Sequence, residues 1–93
     1  MNKELLIENL EKKGNIILYF NSQKCGSCKQ AKPLVKKIVE SKNKYFYSDV
    51  VEGETYSQAL EQFCKVEFYP TLVIIENNEI YRHVGLTQIK KLL

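Results

Sequence analysis

The chain lacks a long hydrophobic run. No apolar stretch approaches the ~20 residues that a membrane-spanning helix needs. Glu4, Glu8 and Glu11 interrupt any candidate secretory h-region, so no signal peptide is expected and the cytoplasm is the expected location. Repeats, linkers and low-complexity tracts are also missing. Charge of one sign is scarce. Fourteen basic and eleven acidic side chains leave +3, and the lysines are spread along the sequence. Nucleic-acid binding does not follow from that balance. Cysteine is scarce and odd in number, at three, whereas a secreted disulfide framework normally uses an even set. What is present is a soluble globular balance of 44% apolar and 27% charged residues. That fraction excludes disorder, and 93 residues hold one domain, read as spanning 1–93.

The elements alternate. Leu6, Ile7 and Leu10 have helical spacing, and Gly14 is a suitable stop. Ile16-Ile17-Leu18-Tyr19-Phe20 is a continuous apolar run, as expected of a central strand buried on both faces. Asn21 to Lys24 is a polar loop. A helix is predicted from about Cys25 to Ser41, with Ala31, Leu34, Val35 and Ile38 inward and Lys29, Lys32 and Lys36 outward. Pro33 lies inside it and should kink it. Lys44 to Asp49 reads as a second strand and Val50 to Glu54 as a loop. A third helix starts at Thr55, where Thr55 and Gln58 have capping-box spacing, with Ala59, Leu60, Phe63 and Cys64 inward. Thr71 to Ile75 and Glu79 to Val84 form a hairpin about Asn77-Asn78. Gly85 ends the last strand, and Thr87 caps a short helix holding Ile89, Leu92 and Leu93. The order α-β-α-β-α-β-β-α implies an α/β fold with a four-stranded mixed sheet flanked by helices.

Two cysteines have C-x-x-C spacing, in Cys25-Gly26-Ser27-Cys28. They fall where a buried strand ends and a helix begins. Free amides and the helix dipole favour an anion there, and the thiolate is the nucleophile of disulfide exchange. Cys25 at the exposed lip is assigned as nucleophile, and Cys28, one turn inside, as the resolving thiol. Lys24 and Lys29 add positive charge, and Gly26 lets the backbone turn.

Cys25-Gly26-Ser27-Cys28-Lys29 resembles the Cys-Gly-Pro-Cys-Lys core of the thioredoxin family. Pro33 falls where that family carries its helix-kinking proline. Tyr69-Pro70-Thr71 resembles its cis-proline loop, and Val84-Gly85 the glycine that lines its substrate groove. The resemblance runs from about Ile16 to Leu93. It implies a thioredoxin-like fold that lacks the usual first strand, a cis Tyr69–Pro70 bond, and a redox-active Cys25–Cys28 disulfide. The implied substrate groove is made by Lys24, Gly26, Ser27, Tyr69, Pro70 and Gly85. It further implies a protein disulfide as substrate and an upstream reductant such as a thioredoxin reductase.

Several positions depart from the family. Asn21 and Lys24 stand where it has tryptophans, and Ser27 replaces its proline. Tyr19 falls at its buried aspartate, and Tyr47 at the lysine that often partners that acid. Tyrosine, with an ordinary pKa of ~10, is a poor base at neutral pH. Water is then expected to take the proton of Cys28, or resolution is slow.

The sequence therefore reads as a monomeric thiol-disulfide oxidoreductase that reduces protein disulfides and needs no metal or organic cofactor. No membrane and no nucleic acid are expected as partners. The rival is a binding module that keeps the fold and groove without turnover. Zinc held by Cys25, Cys28, Cys64 and His83 is a third reading, opposed by the missing second C-x-x-C. Cys64 reads as a small buried hydrophobe or, alternatively, a regulatory thiol. His83 reads as a solvated edge-strand side chain. The lysine stripe reads as a solvated helix face or a docking surface for acidic partners.

Overall fold

The computed structural model describes residues 15–42, 44–54, 57–77 and 79–93. The predicted first helix, Gly14, Thr55 with its capping box, and Asn78 lie outside the described residues. The remainder runs β1 (Ile16–Asn21), α1 (Gly26–Ser41), β2 (Phe46–Val51), α2 (Ser57–Cys64), β3 (Thr71–Glu76), β4 (Glu79–Val84) and α3 (Gly85–Lys90). The four strands form one mixed sheet in the order β2-β1-β3-β4. Strand β1 runs parallel to β2 and antiparallel to β3, and β3 and β4 form the antiparallel hairpin. The expected four-stranded mixed sheet with flanking helices is what forms.

The apolar run of β1 has a simple cause. Both faces of the central strands are covered, so successive side chains enter two different cores. Ile16, Leu18, Phe20, Val50, Val73 and Ile75 pack with Leu60 and Cys64 of α2. Ile17, Tyr19, Leu72 and Ile74 pack with Ala31, Val35 and Ile38 of α1 and Ile89 of α3. The inward positions of α1 follow i, i+4 and i+7 spacing, which is why a helix satisfies that segment.

Five expectations need correction. Strand β2 begins at Phe46, two residues later than predicted. The Tyr45 amide donates to the Lys42 carbonyl in a turn, Lys42 Nζ stands 5.0 Å over the Tyr45 ring, and the ladder opens with the Phe46 amide on Asn15. The strand also continues to Val51, so Val50, predicted in a loop, is a buried strand residue opposite Phe20. Phe63 is 48% exposed, because the inner face of α2 follows Ser57, Leu60 and Cys64 instead. The last helix starts at Gly85 and Thr87 does not cap it. Its N-cap is Val84, which has no capping side chain, and Gln88 reaches back to accept the Val84 amide at 2.8 Å. That helix ends at Lys90, so Leu92 and Leu93, expected within it, lie beyond it, and Leu93 is exposed.

Candidate active site at the strand–helix junction

Everything that forms the site lies at one end of the sheet. Strand β1 delivers the chain to a short loop. The Cys25 amide donates to the Ser22 carbonyl at 3.2 Å, and the Lys24 amide to Ser22 Oγ at 3.3 Å. Cys25 then becomes the N-cap of α1. Its extended backbone lets Sγ receive the Cys28 amide at 3.1 Å, in the manner of an oxygen cap. That amide is one of the free donors of the first turn, and it is the group that would hold a thiolate on Cys25.

Cys25 and Cys28 are joined in a disulfide, with Cα atoms 5.2 Å apart. Cys25 is half-buried, while Cys28 is only 3% exposed. Lys24, Gly26 and Ser27 are exposed around the bridge. Just before the neighbouring strand β3, the Tyr69–Pro70 peptide bond is cis. Thr71 lies opposite Phe20, so Pro70 sits beside the end of β1 from which the cysteine loop departs. The Gly85 amide donates to the Pro70 carbonyl at 2.8 Å, and Gly85 adopts a φ of +87° that favours glycine. The register thus brings the predicted groove residues to one end of the sheet.

Beneath the bridge, the buried Tyr19 hydroxyl donates to the Cys28 carbonyl at 2.6 Å. Burial first, and the neighbouring Asp49 carboxylate second, push its pKa up to about 12. Tyr19 is thus a fixed donor that ties α1 to β1. Tyr47, 37% exposed on β2, is raised as well, by burial and then by Asp49 and Tyr19.

Asp49 is the residue that sequence reasoning missed. It lies directly opposite Tyr19 on β2 and accepts Asn21 Nδ2 at 2.5 Å. The only clue would have been the parallel register, and that required the true start of β2. A second network was missed on the other side. Ser22 Oγ donates to Glu52 at 3.2 Å, and the Tyr69 hydroxyl donates to Glu61. Burial and these two carboxylates all raise the Tyr69 phenol.

The four side chains of the zinc reading are not brought together. Cys25 and Cys28 are bonded to each other, and Cys64 packs on the α2 side of the sheet. His83 pairs with Leu72, whose side chain belongs to the α1 side, so the sheet separates it from Cys64. Among the described residues no cluster of three or more metal-ligating side chains occurs. His83 is also half-buried rather than solvated, and burial lowers its pKa.

The thioredoxin family model matches residues 1–93. The curated proteins include no match to the sequence. Solved structures do share the fold. Oxidised thioredoxin O2 of Arabidopsis thaliana superposes with a TM-score of 0.79 at 16% identity, covering 99% of this chain and 87% of that one. Oxidised mitochondrial thioredoxin 3 of Saccharomyces cerevisiae gives 0.76 at 18%, covering 95% and 84%. Fasciola hepatica thioredoxin gives 0.70 at 23%, covering 95% and 86%.

Proposed function

The chain belongs to the thioredoxin family, and from that premise we propose that its cysteine pair reduces protein disulfides. Thiol-disulfide exchange at Cys25 and Cys28 follows from the family and from the bridge between them. The direction and the substrate class are the proposal. The observation that carries it is the asymmetry of the pair. One sulfur is half-exposed at a helix N-cap with an amide aimed at it, and the other is buried.

In the reduced protein the Cys25 thiolate attacks one sulfur of a substrate disulfide. The other substrate sulfur leaves as a thiolate and takes a proton, giving a mixed disulfide. The Cys28 thiol then loses its proton and attacks Cys25 Sγ. The second substrate sulfur leaves, and two electrons have passed from the protein to the substrate. The oxidised pair seen here is the end state of that cycle. A dithiol reductant reverses it.

The proton of Cys28 needs an exit, and Tyr19 is occupied as a donor. An opening of about 330 Å³ reaches Cys28 between Asn21, Ser22 and Lys29. Water entering there is the proposed acceptor. On the other side, Tyr69, Pro70 and Gly85 are proposed to hold an extended substrate segment beside Cys25, with Lys24, Gly26 and Ser27 completing the groove. We place the activity in a monomer working in a reducing compartment such as the cytoplasm, where reduction is the favoured direction.

Reduction of insulin with dithiothreitol as electron source tests the reading. The wild-type protein should accelerate it, and Cys25→Ser should fall to the uncatalysed rate. Equal rates for the two proteins would leave a binding module in its place.

A further inference from the structure

The outer face of α1 carries a groove that the exchange chemistry does not use. It encloses about 600 Å³ between α1 and the edge strand β2. Pro33, Val39 and Tyr47 supply its apolar surface, and Lys29, Lys32 and Lys36 stand along it. Glu40 lines it near the C-terminal end of α1 and is the only acid in that helix, against four lysines. The three lining lysines are exposed and recur at i, i+3 and i+7. They therefore form one row about 10 Å long at ~1.5 Å rise per residue.

The groove is continuous with the reaction site. Lys29 follows Cys28 in sequence, and Lys29 and Lys32 also line the smaller opening that reaches Cys28. The opposite rim has the reverse charge. Glu52 and Glu61 stand there beside Tyr69. The site is thus polarised, basic over α1 and acidic by α2. An acidic segment is attracted to the first and repelled from the second.

We propose that the α1 groove docks an acidic protein segment bearing apolar side chains, next to the cysteine of the redox partner that Cys25 attacks. This rests on the reductase reading above and names the partner's chemistry. The carboxylates would meet Lys29, Lys32 and Lys36, and an apolar side chain would enter between Pro33, Val39 and Tyr47. Proximity of this row to the sulfurs makes the charge act on encounter as well as on binding. A nucleic acid fits less well, since one tyrosine among proline and aliphatic surface offers no row of stacking rings.

Two disulfide-linked peptides that differ only in flanking residues provide the test. In one the cysteine is preceded by Glu-Glu-Leu-Glu, and in the other by Lys-Lys-Leu-Lys. The wild-type protein should reduce the acidic peptide with a kcat/KM about 10-fold higher at low salt, and the ratio should shrink as salt screens the row. Lys36→Glu, which leaves the opening at Cys28 untouched, should cut the preference at least about 3-fold, and Lys36→Gln should cut it less. Equal rates for both peptides in the wild-type protein, or a preference unchanged by charge reversal, would overturn the assignment.

Two controls separate this from the reductase reading. Uncharged bis(2-hydroxyethyl) disulfide should be reduced equally by wild type and both variants. Failure of the wild type on that compound, as on insulin, would sink the reductase reading alone. A cysteine-free fluorescent form of the acidic peptide then reports on the groove without chemistry. It should bind the oxidised wild type at least about 3-fold more tightly than the charge-reversed variant. Tighter binding of a single-stranded oligonucleotide of equal charge would mean that the surface serves nucleic acid, and the proposal would fall.

Discussion

Cys28 and Cys64 are almost equally buried, at 3% and 0% exposure, yet they occupy opposite ends of helices. The Cys25–Cys28 pair opens α1, where unpaired amides and the dipole favour negative charge. Cys64 is the last residue of α2, where the dipole disfavours it. Its surroundings act in the same sense. Burial among Ile16, Leu18 and Val73 pushes the Cys64 thiol up to about 11, and the nearby Arg82 guanidinium offsets this only in part. Depth and position along the helix together separate the reactive Cys25 from the inert Cys64, and position is what distinguishes Cys64 from the almost equally buried Cys28.

The largest effect expected from that contrast is in alkylation. At pH 7.5 a thiol with a pKa of about 11 is ionised to roughly 1 part in 3,000, against about one tenth for an ordinary thiol. In the fully reduced protein iodoacetamide should therefore label Cys25 at least ~100-fold faster than Cys64. Peptide mapping over a time course reads both rates. Comparable labelling would remove the distinction between the two environments.

The same substitution at the two sites sharpens the comparison. Cys64→Ser places a hydroxyl among aliphatic side chains and should lower stability by ~1–3 kcal/mol. Insulin reduction by that variant should stay within about 2-fold of wild type at a temperature where it remains folded. Cys25→Ser should do the opposite, abolishing turnover at a half-exposed site with little change in a urea midpoint relative to the reduced wild-type protein, which also lacks the Cys25–Cys28 bridge. Lost turnover in folded Cys64→Ser would give the third thiol a part in the reaction.

Local signals made much of this molecule legible. The apolar run of β1 needed only its own residues to announce a doubly covered strand. Local pattern put Cys25 at a helix start, and the resemblance to the thioredoxin family implied that Tyr69, Pro70 and Gly85 form one groove beside it. Contacts that depend on register between distant strands were not legible. Tyr19 looked like a failed base because its partner, the Cys28 carbonyl, is a backbone atom. Asp49 went unnoticed because β2 starts two residues later than its composition suggests, and only the true register sets it opposite Tyr19. Apolar composition misled at Phe63, where the inward stripe of a short helix is too narrow to take every hydrophobic residue, and at Leu93, which lies beyond the end of the last helix.

The smallest effect belongs to Tyr19, and its pH dependence isolates it from Cys64. The hydroxyl contributes one hydrogen bond to the Cys28 carbonyl, so Tyr19→Phe should cost about 0.5–1.5 kcal/mol near neutral pH. Burial and Asp49 hold its folded pKa at about 12, above the ordinary 10.0. Below pH 10 the phenol is protonated in both folded and unfolded chains, and its contribution is complete. Between pH 10 and about 12 the unfolded chain releases the proton while the folded chain keeps it, so stability falls as pH rises. Cys64 behaves alike in an earlier window, from 9.0 to about 11. Both proteins carry that loss, and it cancels in their difference. The gap between wild type and Tyr19→Phe in urea unfolding should therefore be constant from pH 7 to 9.5 and narrow above pH 10. A gap that widened there would mean that the folded state favours the phenolate, and the hydroxyl could then not be the fixed donor that joins α1 to the sheet.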